Sequence, residues 1–395
     1  MFLSPINIIK SPFLGLFLLL LSFQLDAQNI VLIKGTVLDQ KDQIIPYATI
    51  AIKDKYIGTV TNASGYFELK VDQESQDTLS IDMLGYQKLE FAVDALRDSN
   101  TYYLEEEHFV IDEIVIRPKP PEHYIKLATR NIKSLAYDKG YNTISYFRED
   151  VKINEAFLGE SESVYKSYAY AHKKHKYQLM LHRGTYNDSM DNGIFFTDDD
   201  PRDFAMGPEF IMYYANDKSI DYFLDSNYFD KYRYHFAPDT LSGYMIIGFE
   251  PKGKIEHMKM GGQIILESKT FAIVEVKFSG ILKIPIIAKP LLAAFGYGYR
   301  TPYFDAVKKY QNIEGKWFPS YTRLEGGMTL INKHLFRKND VYVYDMKQIF
   351  HVNKIIKSRV KAISNSKKYD VEKPYVDQIH NDDQLKWSDI NVIKN

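Results

Sequence analysis

Cysteine is absent from all 395 residues. That excludes a disulfide framework, a thiolate metal site and a lipidated cysteine behind a leader. Excess charge of one sign is lacking as well. Lys and Arg total 50 against 51 Asp and Glu, a formal net charge of -1, so no long-range field gathers nucleic acid or anionic membrane. Catalytic signatures are equally scarce. None of the ten histidines is followed three positions on by glutamate, and neither HxxxH nor HExxH occurs, so the pairs that open a zinc peptidase site are missing. There is no Gly-x-Ser-x-Gly elbow, no P-loop and no motif for a cofactor. A catalytic group built from distant residues stays open.

Long apolar runs are few. The first follows Lys10: "FLGLFLLLLSF", then "QLDAQ", the pattern of a secretory signal with cleavage after Ala27. The competing reading, a membrane anchor, needs about 20 apolar residues, more than this run supplies. The expectation is a signal peptide at 1–27 and no transmembrane span in the mature chain. A cysteine-free exported protein suits a bacterial envelope, whatever its redox state.

From Ile30 to Leu104, short β-prone runs alternate with turn residues. In "GYFELKV", Tyr66, Glu68 and Lys70 share one face and Phe67, Leu69 and Val71 the other, the pattern of a half-buried strand. Gly35, Gly58, Gly65 and Gly85 fall at or beside strand ends, and "NASG" supplies a polar turn. Strands at this spacing predict a β-sandwich. "GTVLD" at Gly35–Asp39, "PYATI" at Pro46–Ile50, "GTVTNASGYF" at Gly58–Phe67 and "LGY" at Leu84–Tyr86 occur in order. Over residues 30–117 the chain resembles the carboxypeptidase regulatory-like domain, a transthyretin-like β-sandwich found at the front of Bacteroidota envelope proteins. The resemblance implies a non-catalytic accessory module. "IDEIVIRP" at Ile111–Pro118 is similar to the stretch that follows this module in TonB-dependent receptors, but the chain beyond it is too short for their barrel.

"RPKPPEH" reads as a stiff connector, with the linker at 118–122. After it, Ile125, Ala128, Ile132 and Leu135 recur at helical spacing, and Gly140 is the expected stop. Beyond Tyr141 long β runs return, which predicts a larger α+β domain at 123–362 with a curved antiparallel sheet and one or two helices against it. The fold class is therefore mainly β. The pattern "GQIILESKTFAIVEVKFS" followed by "GKWFPSYTRL" is similar to lipoprotein-carrier-type half-barrels, and that resemblance implies a concave sheet able to cover an apolar ligand. Residues 363–395 read as a polar, partly ordered tail. The tail lacks a Gly-rich surface-secretion domain, so the expected place is the periplasm or an association with the outer membrane.

Local clusters of possible ligands read as solvated loops. His172 and His175 are crowded by lysines, and Asp188, Asp191, Asp198, Asp199 and Asp200 do not fit the EF-hand spacing. Most of the 31 tyrosines suit strand positions. The unusual stretch is Ile281–Phe304, where Lys283, Pro285, Lys289 and Pro290 break an apolar run and prevent a bilayer span. It is either a buried connection or an apolar contact surface made by Ile281, Ile284, Ile286, Leu291, Leu292, Phe295, Tyr297 and Tyr299.

These features predict an exported envelope protein without catalysis, cofactor or metal. Its partners would be a lipid or other apolar ligand, or an outer-membrane or periplasmic protein. An accessory factor of an outer-membrane complex and a hydrolase with a scattered site are the alternatives.

Overall fold

The computed structural model describes residues 30–53, 55–72, 77–93, 101–107, 119–169, 175–187, 208, 211–212, 223–238, 241, 243–253, 258–282, 296–370, 373 and 375–394. The expected signal peptide and the five-aspartate loop lie outside them.

Seven strands make two facing sheets at the front of the chain. β1 (Ile30–Asp39) lies between β4 (Tyr66–Asp72) and β7 (Thr101–Leu104); β2 (Thr49–Ile52) lies between β3 (Gly58–Val60) and β5 (Thr78–Asp82), with β6 (Leu89–Ala92) outside β5. The alternation read in β4 holds: Phe67, Leu69 and Val71 are buried with Ile33, Val37, Ile50, Ile52, Leu79 and Ile81 in one core between the sheets. Each such side chain contributes about 1.5–3 kcal/mol by leaving water. The "NASG" turn closes as its residues demand. Asn62 Oδ1 accepts the Ser64 and Tyr66 N–H groups at 2.9 Å. Gly65 takes φ +74°, where a Cβ would stand 2.8 Å from the Val37 carbonyl oxygen.

Helix α1 (Pro121–Leu135) starts on prolines, with Pro121 in its first turn and Glu122 favourably placed at the positive end of the dipole. It ends five residues before Gly140. Ala136 is extended (φ -70°, ψ 159°) and pairs with Trp317, while Tyr137 packs on Tyr141 and Phe318. Tertiary pairing thus stops the helix before the glycine does.

Ten antiparallel strands follow among the described residues: β8 (Tyr141–Ile153), β9 (Ala156–Ala169), β10 (Lys176–Tyr186), β11 (Tyr232–Phe236), β12 (Tyr244–Pro251), β13 (Met258–Glu267), β14 (Ile273–Leu282), β15 (Tyr297–Ile313), β16 (Lys316–Asn332) and β17 (Asp340–Ile356). Their order is β10-β9-β8-β17-β16-β15-β14-β13-β12-β11. Side chains from both halves of this sheet join Tyr124, Ile125 and Ala128 of α1 in one core, so the sheet curls around the helix. Ile211, Met212, Phe223 and Leu224 complete the filling.

The opposite face carries the sandwich at one end. Val60 is buried with Tyr146, Val164, Tyr321 and Ile349 of the large sheet. His351 Nε2 donates to the Gly58 carbonyl at 3.0 Å, and Lys309 Nζ donates to the Tyr47 carbonyl at 2.9 Å. The Tyr47 ring lies 4.5 Å under the Arg323 guanidinium. The end of the chain differs from the partly ordered tail read in the sequence. Ile390 and Ile393 are buried in the same cluster as Val60 and Tyr146, and Lys394 pairs with Glu68 at 2.6 Å. Isolated apolar residues in a polar stretch found burial only because two sheets meet there.

Candidate functional site

Beyond the sandwich, the outer face of the large sheet is open among the described residues, and strand alternation decides what lines it. The registers set Glu160, Asp150, Lys347, Glu325 and Asp305 in one row across β9, β8, β17, β16 and β15. The neighbouring row holds Phe157, Lys152, Asp345, Gly327 and Tyr303. All of these but Gly327, together with Gly326 and Met346, line a groove of about 440 Å³.

Gly327 lies beneath the Tyr303 ring at the side of this groove. A Cβ there would meet the Tyr344 carbonyl at 2.6 Å and the Tyr303 ring at 3.0 Å. The space lets Tyr303 lie across the strand and donate its phenol to Asp345 Oδ1 at 2.8 Å. That hydrogen bond, with some burial, raises the phenol above its ordinary pKa. Arg148 braces the acidic wall from below, with its guanidinium 2.7 Å from both Asp150 and Glu160. Glu325 has weaker partners, Arg323 and Lys347, each at 3.7 Å. Five carboxylates against Lys152, Lys347 and the bracing Arg148 leave the groove acidic, suited to cationic or N–H-donating groups. Among the described residues, no group of three His, Asp or Glu side chains is set to hold a metal.

The apolar surface lies past the groove. It continues from Phe157 and Tyr303 of the groove wall to the exposed Ile281, Val341 and Val343, and at the turn between β16 and β17 Leu335 is 94% and Phe336 99% exposed. Of the contact surface expected from the sequence, Ile281 stands exposed near the end of β14. Tyr297 and Tyr299 open β15, in register with Asn332 and Leu330. Ile284, Ile286, Leu291, Leu292 and Phe295 lie outside the described residues. The Lys333 N–H donates to the Gly296 carbonyl at 2.8 Å, so the chain re-enters β15 beside the exposed turn. The sequence reading missed Leu335 and Phe336. The signal was two apolar residues inside "NKHLFRKND", which is otherwise turn and charge.

The inner face carries two small hollows. Its hollows are about 30 Å³ beside Ile132 and Trp317 and about 10 Å³ beside Tyr141 and His175, room for a water or two. His175, read as part of a solvated turn, is buried with its ring edge-on to Tyr141; His172 lies outside the described residues. One serine–histidine contact bears on the hydrolase alternative. Ser163 Oγ is 2.9 Å from His182 Nδ1, but Ser163 is fully buried and the His182 ring is stacked on Tyr375 at 4.0 Å. Lys166, three residues on from Ser163, falls on the other face of β9 and binds Asp383 at 2.5 Å.

With two sheets around one core in the front module, comparison with known proteins is informative there. Residues 33–116 match the CarboxypepD_reg-like domain. The CarboxypepD_reg-like module takes in most of β1 and all of β2 to β7, and it is a non-catalytic β-sandwich. No curated protein matches the chain. Among solved structures, one of lipid–protein interactions in lipovitellin is similar at 8% identity and a TM-score of 0.24, over 59% of this chain and 27% of that one. This chain therefore spans about a quarter of that one's length. A Bacteroides fragilis protein described as membrane-associated and of unknown function is similar at 10% identity and a TM-score of 0.15, over 82% of this chain and 98% of that one. Neither likeness is close enough to transfer a function. Among the described residues, no helix is long and apolar enough to cross a membrane.

Proposed function

We propose that this chain is a non-catalytic binding protein of the bacterial envelope. The CarboxypepD_reg-like module is fastened to one end of the ten-stranded sheet, and the opposite end of the sheet engages a partner. The observation that carries the reading is the division of the sheet's two faces. α1 and its neighbours pack on the inner face, while the outer face ends in the acidic groove and the exposed apolar side chains beyond it. Contact through a surface is better supported by this division than enclosure of a ligand within the sheet. Exposed apolar side chains gathered in one region mark interaction surfaces more often than scattered ones do. Export and an envelope location are supported by the leader pattern and the absence of cysteine. The apolar surface from Ile281 to Tyr299 belongs to the same proposal, since its described ends lie at that end of the sheet.

The test is native mass spectrometry of the protein recovered from its own envelope. A co-purifying protein or a lipid-sized adduct supports a binding role and says which kind. A bare chain that turns over peptide or glycan substrates overturns it in favour of the hydrolase alternative.

A further inference from the structure

We infer that the turn between β16 and β17 is a membrane-docking tip. Leu335 and Phe336 enter the acyl boundary of a phospholipid leaflet, while Lys333, Arg337 and Lys338 meet its anionic headgroups. This inference rests on the binding reading above and names its partner.

A single exposed leucine means nothing, because more than half of any protein surface is apolar. Two adjacent apolar side chains at 94% and 99% exposure, on the convex end of a hairpin with 17-residue arms, are a different matter. They bury nothing within the protein. The turn that carries them is nonetheless pinned. The His334 N–H donates to Asn339 Oδ1 at 3.1 Å, His334 Nε2 lies 2.6 Å from Asp340, and Arg337 pairs with Asp340 at 3.1 Å. The apolar pair is therefore held outward on a shaped loop.

Charge selects the occupant. The whole chain is close to neutral, yet within this turn three cations face a single carboxylate, Asp340. Long cationic side chains flanking an apolar pair keep their heads at the phosphate level while the pair goes deeper. Each adds about 1 kcal/mol of attraction near an anionic surface. A bilayer accepts a convex tip without needing a matching pocket, which a protein partner must supply. The tip also stands clear of the sandwich. Lys354 of β17 pairs with Ile57, and the strand from there back to Asp340 covers roughly 45 Å at about 3.3 Å per residue.

The experiment is co-sedimentation of the mature protein, as recovered from the envelope, with vesicles of phosphatidylethanolamine and phosphatidylglycerol and with neutral phosphatidylcholine vesicles. Binding to the anionic vesicles is expected. The Leu335→Ser/Phe336→Ser variant should lose about thirtyfold in partitioning, consistent with partial burial of two large side chains. The Lys333→Gln/Arg337→Gln/Lys338→Gln variant should weaken binding and flatten its salt dependence. A Phe336→Trp variant should shift its emission to the blue on adding anionic vesicles. Thermal unfolding of the serine variant should match the parent, because neither side chain packs in the fold. The inference is overturned if the parent ignores vesicles or if the serine variant binds them equally well. A protein that co-purifies with the parent and is lost with the serine variant also overturns it, but leaves the binding reading standing. Retention of neither lipid nor protein removes both.

Discussion

His351, on the last third of β17, reaches from the large sheet to donate its Nε2 hydrogen to the Gly58 carbonyl of the sandwich, 3.0 Å away. The ring is almost wholly buried, so charge on it is costly. Burial lowers its pKa from 6.5 to about 4. The imidazole is thus a neutral donor at the junction of the two sheet systems.

Stability should therefore fall in mild acid. The unfolded imidazole takes up a proton near pH 6.5 and the folded one only near 4, so between these values the unfolded chain binds more protons. The contribution is fully present above the upper value and is lost as pH falls towards the lower one. The whole window is worth about 3 kcal/mol, and the step from pH 7 to pH 5 about 2 kcal/mol. His182, lowered to about 4 by burial, adds a similar loss. In denaturant titrations, His351→Gln should keep a donor for Gly58 and shrink the difference between pH 7 and pH 5 by roughly half. An unchanged difference would mean that His351 is not the group that titrates.

Lys309 makes a second junction contact. Its ammonium donates to the Tyr47 carbonyl at 2.9 Å and lies 3.6 Å from the buried Glu275, and burial lowers its pKa. Lys309→Met leaves both oxygens short of a donor, although Lys277 still reaches Glu275 at 2.7 Å. The expected cost is about 2–4 kcal/mol. Glu275→Gln in the same chain should recover part of it. A double-mutant cycle by urea unfolding measures the coupling, and strictly additive effects would show that the pair does not interact.

The polar end of the chain is a third fastening. Ile390 and Ile393 fill the space between Val60, Ile144 and Tyr146, and Asn391 Oδ1 accepts the Lys70 N–H at 2.7 Å. Ile393→Ala should cost about 2–4 kcal/mol. Removal of residues 387–395 should split calorimetric unfolding into two transitions, one for the CarboxypepD_reg-like module and one for the large sheet. A single transition after truncation would place the coupling in His351 and Lys309 alone.

Much of the sandwich was legible in its sequence because local rules and tertiary structure agree there. The alternation of Phe67, Leu69 and Val71 names the buried face, and Asn62 with Gly65 names the turn. The long strands of the large sheet were legible for the same reason. Other features were not, two of them for want of a clear local signal. Helix α1 ends at Leu135 because Ala136 pairs with Trp317, 181 residues away in sequence, and no local pattern encodes that partner. The groove assembles Asp150, Glu160, Asp305, Glu325 and Asp345 from five strands, so each carboxylate alone looks like an ordinary outward-facing strand residue. Its only local trace is the pair Gly326–Gly327 inside an otherwise strand-like run, where a missing side chain implies close approach by something else.

That glycine supplies the last prediction. A methyl group at Gly327 would press on the Tyr344 carbonyl at 2.6 Å, on Asp345 Oδ1 at 2.8 Å and on the Tyr303 ring at 3.0 Å. The carbonyl belongs to the neighbouring strand and cannot swing aside as a side chain does, so Gly327→Ala should cost about 1–3 kcal/mol. The Tyr303 phenol should also lose its hold on Asp345 and titrate closer to an ordinary tyrosine, which ultraviolet difference spectra on raising pH can follow. Gly253→Ala is the matched control. It has no atom within 4 Å of the added carbon, so it should be neutral or slightly stabilising, by up to about 1 kcal/mol through the unfolded chain. Equal melting temperatures for the two variants would mean that the Tyr303 ring and the β17 backbone can yield around Gly327. The groove wall would then be adaptable, without the fixed position that Gly327 gives the Tyr303 ring here.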